Sequence, residues 1–121
     1  MSEHAEQVAL MQWLALQHPD IYQHAYAIPN GGKRNITTAL WLKAEGVKRG
    51  VPDICIAMPS RGYCGMYLEL KDKVMRKGRL SDEQKEWLGR LKNAGYYACV
   101  AYGFDGGKHA IEYYLTGDKN G

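Results

Sequence analysis

The chain has 121 residues, of which 45% are hydrophobic and 24% charged. That is enough for one core and too little for two, and the composition is neither disordered nor fibrous. Net charge is only +3, but residues 1–32 contain no Lys or Arg and all 16 basic residues follow them, a distribution that suits an anionic polymer as partner.

No apolar run approaches the roughly 18–20 residues that cross a bilayer. MSEHAEQVAL carries acids and no basic n-region. One cytoplasmic domain over residues 1–121, without a membrane partner, is therefore expected. Cys55, Cys64 and Cys99 are odd in number and form no CxxC pair, so neither a disulfide framework nor a zinc knuckle is suggested.

SEHAEQVALMQWLALQHP reads as a helix, with Ser2 as N-cap, Glu3 and Glu6 in the first turn, and Val8, Met11, Leu14 and Ala15 on one face. Pro19 is expected to stop it. IYQHAYAI is an edge-strand candidate, PNGGKRN is turn chemistry, and Asn35 caps a second helix, ITTALWLKAE, closed by Gly46. Pro52 holds the chain extended at the entry to the strand DICIAM; PSRGYCG turns, and MYLELK returns. SDEQKEWLGRLKNA is a third helix with Trp87, Leu88 and Leu91 inward, YYACVAY a short buried strand, and DGGKHAIEYYL a last helix that covers an edge or meets a partner. This order predicts an α/β fold, a three-layer sandwich with a central mixed sheet flanked by helices.

Charges stand out in the central hairpin. If it folds symmetrically about Arg61, Asp53 lies directly opposite Glu69, where like charges about 4.5–5.5 Å apart repel unless a cation lies between them. Alternation puts Glu69 and Lys71 on one face and Leu68 and Leu70 on the other. Two carboxylates and a lysine make a site for a divalent ion, and hard oxygen ligands favour Mg²⁺ or Mn²⁺. Lys71 would orient a water or stabilise the pentacovalent phosphorane of phosphodiester hydrolysis. Lys33, Arg34, Lys48 and Arg49 flank this site in sequence, and Lys73, Arg76, Lys77 and Arg79 follow it. Such groups position a DNA backbone without reading bases. His4, His18, His24 and His109 show no metal-ligand spacing.

VPD, residues 51–53, followed by ELK, residues 69–71, resembles the PD-(D/E)xK nuclease signature. The larger run NGGKRN, KAEGVKRGVPDI, YLELK and GRLSDEQKEWL is similar to the VRR-NUC (virus-type replication-repair nuclease) family, particularly its small stand-alone members from phages and prophages. The resemblance runs from about Glu6 to about Val100. It implies a restriction-endonuclease-like core in which Asp53 and Glu69 bind Mg²⁺ or Mn²⁺, the Leu70 carbonyl is a further ligand, and Lys71 is the catalytic lysine. It also implies roles for a helix-1 acid and for a glutamine in the helix after ELK. Gln84 matches the glutamine; Glu6 best matches the acid, with Glu3 one turn earlier on nearly the same face. SDEQ is at the same time a capping box, which offers Gln84 a purely structural role.

The expected function is a metal-dependent DNA endonuclease, structure-selective on branched DNA such as four-way (Holliday) junctions. Paired incision of a two-fold symmetric junction needs two active sites, hence a homodimer, with Tyr113 and Tyr114 or the first helix as interface. The competing readings are a sequence-specific restriction-type endonuclease, for which 121 residues leave no recognition domain, and a non-catalytic nucleic-acid-binding module. The latter has no use for carboxylates that repel phosphate.

Overall fold

The computed structural model describes residues 2–29, 35–73 and 80–118. Ser2 caps α1 (Glu3–Gln17) by accepting the Ala5 N–H at 3.1 Å. His18 ends this helix, and Pro19 opens a single turn, α2 (Pro19–Tyr22), where its missing N–H costs nothing. Strand β1 (Ala25–Ala27) is thus shorter than the segment expected for it. Asn35 caps α3 (Ile36–Ala44) through the Thr38 N–H at 2.7 Å, and Gly46 leaves it with φ 104°. Then follow β2 (Ile54–Ile56), β3 (Met66–Lys71), α4 (Asp82–Asn93), β4 (Tyr97–Tyr102) and α5 (Gly103–Thr116).

The four strands form one sheet in the order β1-β2-β3-β4. β1 pairs antiparallel with β2, and β2 antiparallel with β3. β3 and β4, joined through α4, run parallel. The sheet is mixed, as expected. Ile54 faces Leu68, Cys55 faces Tyr67 and Ile56 faces Met66, the register of a hairpin symmetric about Arg61. Arg61 itself takes φ 48°, and its guanidinium donates to the Tyr113 and Tyr114 carbonyls at 2.9 and 3.1 Å, which ties the hairpin turn to the end of α5.

Alternation along β3 divides the molecule. Met66, Leu68 and Leu70 join Ile54 and Ile56 against Leu10 and Leu14 of α1 and Ile111 and Tyr114 of α5, forming the main core. On the other face Tyr67 packs with Leu88 and Leu91 of α4 and with Ala98. Glu69 and Lys71, two and four residues after Tyr67, share that second face, where the first turn of α4 reaches them through Gln84.

Two expectations change. The buried stripe of α1 is Glu6, Leu10 and Leu14, while Val8 is 42% exposed. An apolar-only reading misplaces the stripe because a carboxylate occupies its first position. Tyr114 is fully buried, with its hydroxyl donating to the Met58 carbonyl, and Tyr113 lies beneath the Arg61 guanidinium, 4.8 Å from ring centre to Cζ. Tyr114 is therefore core rather than interface, while Asp105, His109 and Thr116 of the same helix are exposed. None of the described residues of α3 is buried.

Candidate active site

Asp53 is the last residue before β2, behind the buried Pro52. Its backbone carbonyl accepts the Ile28 N–H at 2.7 Å, and its Oδ2 accepts the Leu70 N–H, also at 2.7 Å. These two bonds fix the carboxylate across the hairpin, beside the Leu70 backbone and next to Glu69. Extending the observed register by one pair sets Asp53 opposite Glu69.

Glu69 is only 4% exposed. Burial, the charge of Asp53 and a hydrogen bond to Asp53 push its carboxyl up to about 8, against the opposing pull of Lys71. Lys71 Nζ lies 3.9 Å from Glu69 Oε2 and 3.2 Å from Gln84 Oε1.

Gln84 reaches this pair from the first turn of α4. Its Oε1 accepts the Ser81 N–H at 2.9 Å and its own N–H donates to Ser81 Oγ at 3.1 Å, a complete capping box. Its Nε2 donates to Glu69 Oε2 at 3.3 Å. The cap and the bridge coexist, because one amide has enough donors and acceptors for both. The start of α4 is held close by Gly50, at φ 88°, where an added Cβ would lie 2.6 Å from the Glu83 carbonyl carbon and 2.8 Å from Gln84 N. A side chain there would displace the helix that delivers Gln84. The glycine is visible in KRGVPD, but its partner in space is not.

The two acids of α1 take different positions. The Glu6 carboxylate is 5% exposed and accepts the Phe104 N–H at the start of α5, in the usual place for an anion on a helix N-terminus. Gly103 permits the approach, since a Cβ there would sit 2.3 Å from Glu6 Oε2. Glu3 is the α1 acid within electrostatic reach of the site: burial and the charges of Asp53 and Asp72 raise its carboxyl while Lys71 lowers it. Of the two acids left open as the helix-1 partner of the site, Glu6 is thus engaged at the start of α5, and Glu3 is the one whose carboxyl feels Asp53 and Lys71.

Among the predicted DNA-contacting residues, Lys48 and Arg49 are exposed on the loop that Gly50 docks against α4. Lys73 turns towards α5, its Nζ 3.6 Å from Asp105 Oδ2, both side chains more than half exposed. Lys33, Arg34, Arg76, Lys77 and Arg79 lie outside the described residues.

Asp53 and Glu69 suit a hard divalent cation. A carboxyl forced towards its neutral form by burial and by a second carboxylate is the electrostatic condition that such an ion relieves. Among the described residues no group of three or more His, Cys, Asp or Glu side chains is gathered at metal-binding distance. Two carboxylates with the remaining positions left to water is a common way of holding magnesium. Among the same residues, no helix is long and apolar enough to cross a membrane.

No curated protein matches the chain. A solved structure described as a VRR_NUC domain protein superposes with a TM-score of 0.83 at 27% identity, over 95% of this chain and 88% of the other. The VRR-NUC domain model matches residues 1–105, which include every element from α1 through β4 and all of the side chains gathered around Glu69. With a nuclease-type fold and that match over most of its length, the chain belongs to the VRR-NUC domain family.

Proposed function

We propose that this protein is a divalent-metal-dependent DNA endonuclease that hydrolyses phosphodiester bonds in branched DNA, four-way junctions being the leading substrate. The observation that carries the reading is the convergence of Asp53, Glu69, Lys71 and Gln84 where the β2–β3 pair meets the start of α4. A binding module would gain nothing from a buried and a half-buried carboxyl side by side facing phosphate.

Asp53 and Glu69, with the Leu70 carbonyl as a further ligand, would hold Mg²⁺ or Mn²⁺. When bound, the ion neutralises the scissile phosphate and makes water more acidic. Lys71, held by the Gln84 oxygen, directs its ammonium at the charge that develops on the phosphorane. Gln84 fixes the Glu69 carboxylate by donating to it, and Glu3 adds a third acid at the rim. Lys48 and Arg49 contact phosphates without reading bases, which favours substrate shape over sequence. Paired incision of a symmetric junction calls for two such sites, supplied by a homodimer.

The experiment is direct. Labelled duplex, flap, single-stranded and four-way DNA are incubated with the purified protein and Mg²⁺, Mn²⁺ or EDTA. Cutting of branched DNA that EDTA abolishes is expected; cutting that persists in EDTA, or none with either metal, would sink the proposal.

A further inference from the structure

Beside the carboxylates lies a groove of about 420 Å³ that the chemistry above does not use, lined by Ile28, Pro29, Val47, Lys48, Val51 and Trp87 together with Gly46. Its walls adjoin the site on both sides. Ile28 is bonded through its N–H to the Asp53 carbonyl at 2.7 Å. Trp87 lies three residues after Gln84 on α4, hence on the same helix face. The loop bearing Val47, Lys48 and Val51 forms the remaining wall, and Gly50 packs that loop against the helix. Apart from Lys48 the lining side chains are apolar. Val47 is 40% exposed, and the Trp87 ring carries the Arg90 guanidinium at 5.2 Å.

We infer that this groove receives one unstacked nucleobase of the DNA strand whose adjoining phosphate reaches Asp53 and Glu69. The inference deepens the nuclease reading and rests on it. The base is the occupant that the surroundings favour: an aromatic ring and aliphatic walls accept a flat π-system, while exposed Lys48 and Arg49 face the backbone that must enter with it. A continuous duplex keeps its bases stacked and offers the groove nothing. Taking a base out of the stack is least costly where it is mismatched or already unpaired. A flap supplies such a base outright, and the pairs at a four-way branch point, where stacking is interrupted, release one at lower cost than continuous duplex does, so the groove converts DNA shape into affinity at the site of cutting.

The test places 2-aminopurine at the unpaired nucleotide next to the branch of a flap DNA, and at the same sequence position of a continuous duplex, with Ca²⁺ replacing Mg²⁺. On binding wild-type protein, emission from the unpaired probe should be quenched and that from the duplex probe left unchanged, with branched DNA bound about ten-fold more tightly. Val47→Met, which fills the groove, and Trp87→Leu, which removes the ring and keeps apolar bulk, should each abolish the quench and bring the two affinities together. An unquenched probe on wild-type protein overturns the proposal without any variant. So does a branch preference that survives both substitutions, or a change of oligomeric state in Val47→Met, which would make the groove a surface between copies. If wild-type protein cuts DNA with Mg²⁺ yet shows no quench, the groove assignment fails and the nuclease reading stands. If it quenches the probe yet cuts nothing with Mg²⁺ or Mn²⁺, the nuclease reading fails instead.

Discussion

Lys71 Nζ lies 3.2 Å from Gln84 Oε1, the same oxygen that accepts the Ser81 N–H at 2.9 Å. One side-chain carbonyl thus caps the start of a helix and holds the Lys71 ammonium. The two tasks are separable. Ser81→Ala removes the N-cap acceptor but leaves the backbone N–H that holds Gln84, so it should cost about 1 kcal/mol of stability and leave cleavage within a few-fold. Gln84→Ala should cost a similar amount of stability and lower the cleavage rate by about ten-fold or more, since it also frees Lys71 and Glu69. Denaturation midpoints and single-turnover rates on both variants check the division; equal rate losses would remove Gln84 from the chemistry.

The same comparison applies to α1. Glu6→Ala leaves the part-buried Phe104 N–H without its acceptor, and such a loss costs about 1–3 kcal/mol. Glu3→Gln, at an exposed position, removes a like charge from beside Asp53 and should leave the fold unharmed while cleavage falls. Thermal unfolding together with cleavage assays on the two variants should give opposite rankings for stability and activity.

Glu69 makes the metal-free protein sensitive to pH. Its carboxyl titrates near 8 in the folded state against 4.5 as the ordinary value, so the folded protein binds the extra proton over that interval. Stability without metal should therefore fall as pH rises from about 4.5 through about 8 and level off above that. Mg²⁺ should oppose the fall, because the ion takes the place of the proton. Asp53→Asn removes the neighbouring charge and should flatten the slope. Urea midpoints at pH 6 and pH 8, with and without Mg²⁺, measure it; a metal-free midpoint that rises over this range would contradict the assignment.

Lys71 has two possible tasks with different kinetic signatures. If it only offsets the charge of Glu69, Lys71→Met weakens metal binding and added Mg²⁺ restores the rate. If it meets charge developing in the transition state, metal and DNA affinity survive and the chemical step slows by about 10²-fold. The second outcome is expected, because the ammonium is 3.9 Å from Glu69 Oε2 but directed to Gln84 at 3.2 Å. Single-turnover rates across a Mg²⁺ titration decide it.

Short-range physics made much of this protein legible from its residues. Ser2, Asn35 and Ser81 cap helices by bonding N–H groups three residues away, and the β2–β3 register follows from alternation and a compact turn. The opposition of Asp53 and Glu69 came with that register. What a helix or strand meets is a different matter, since that depends on residues far along the chain. Glu3 and Glu6 stand one turn apart and look alike locally; the N-terminus of α5, 98 residues beyond Glu6, takes Glu6, while the Glu3 carboxyl feels Asp53 and Lys71. Tyr114 reads as a surface aromatic until α5 is laid on the sheet and buries it. Gln84 satisfies a capping box in any isolated helix, and only the packing of α4 beside β3, held close at Gly50, brings the same amide to Lys71 and Glu69.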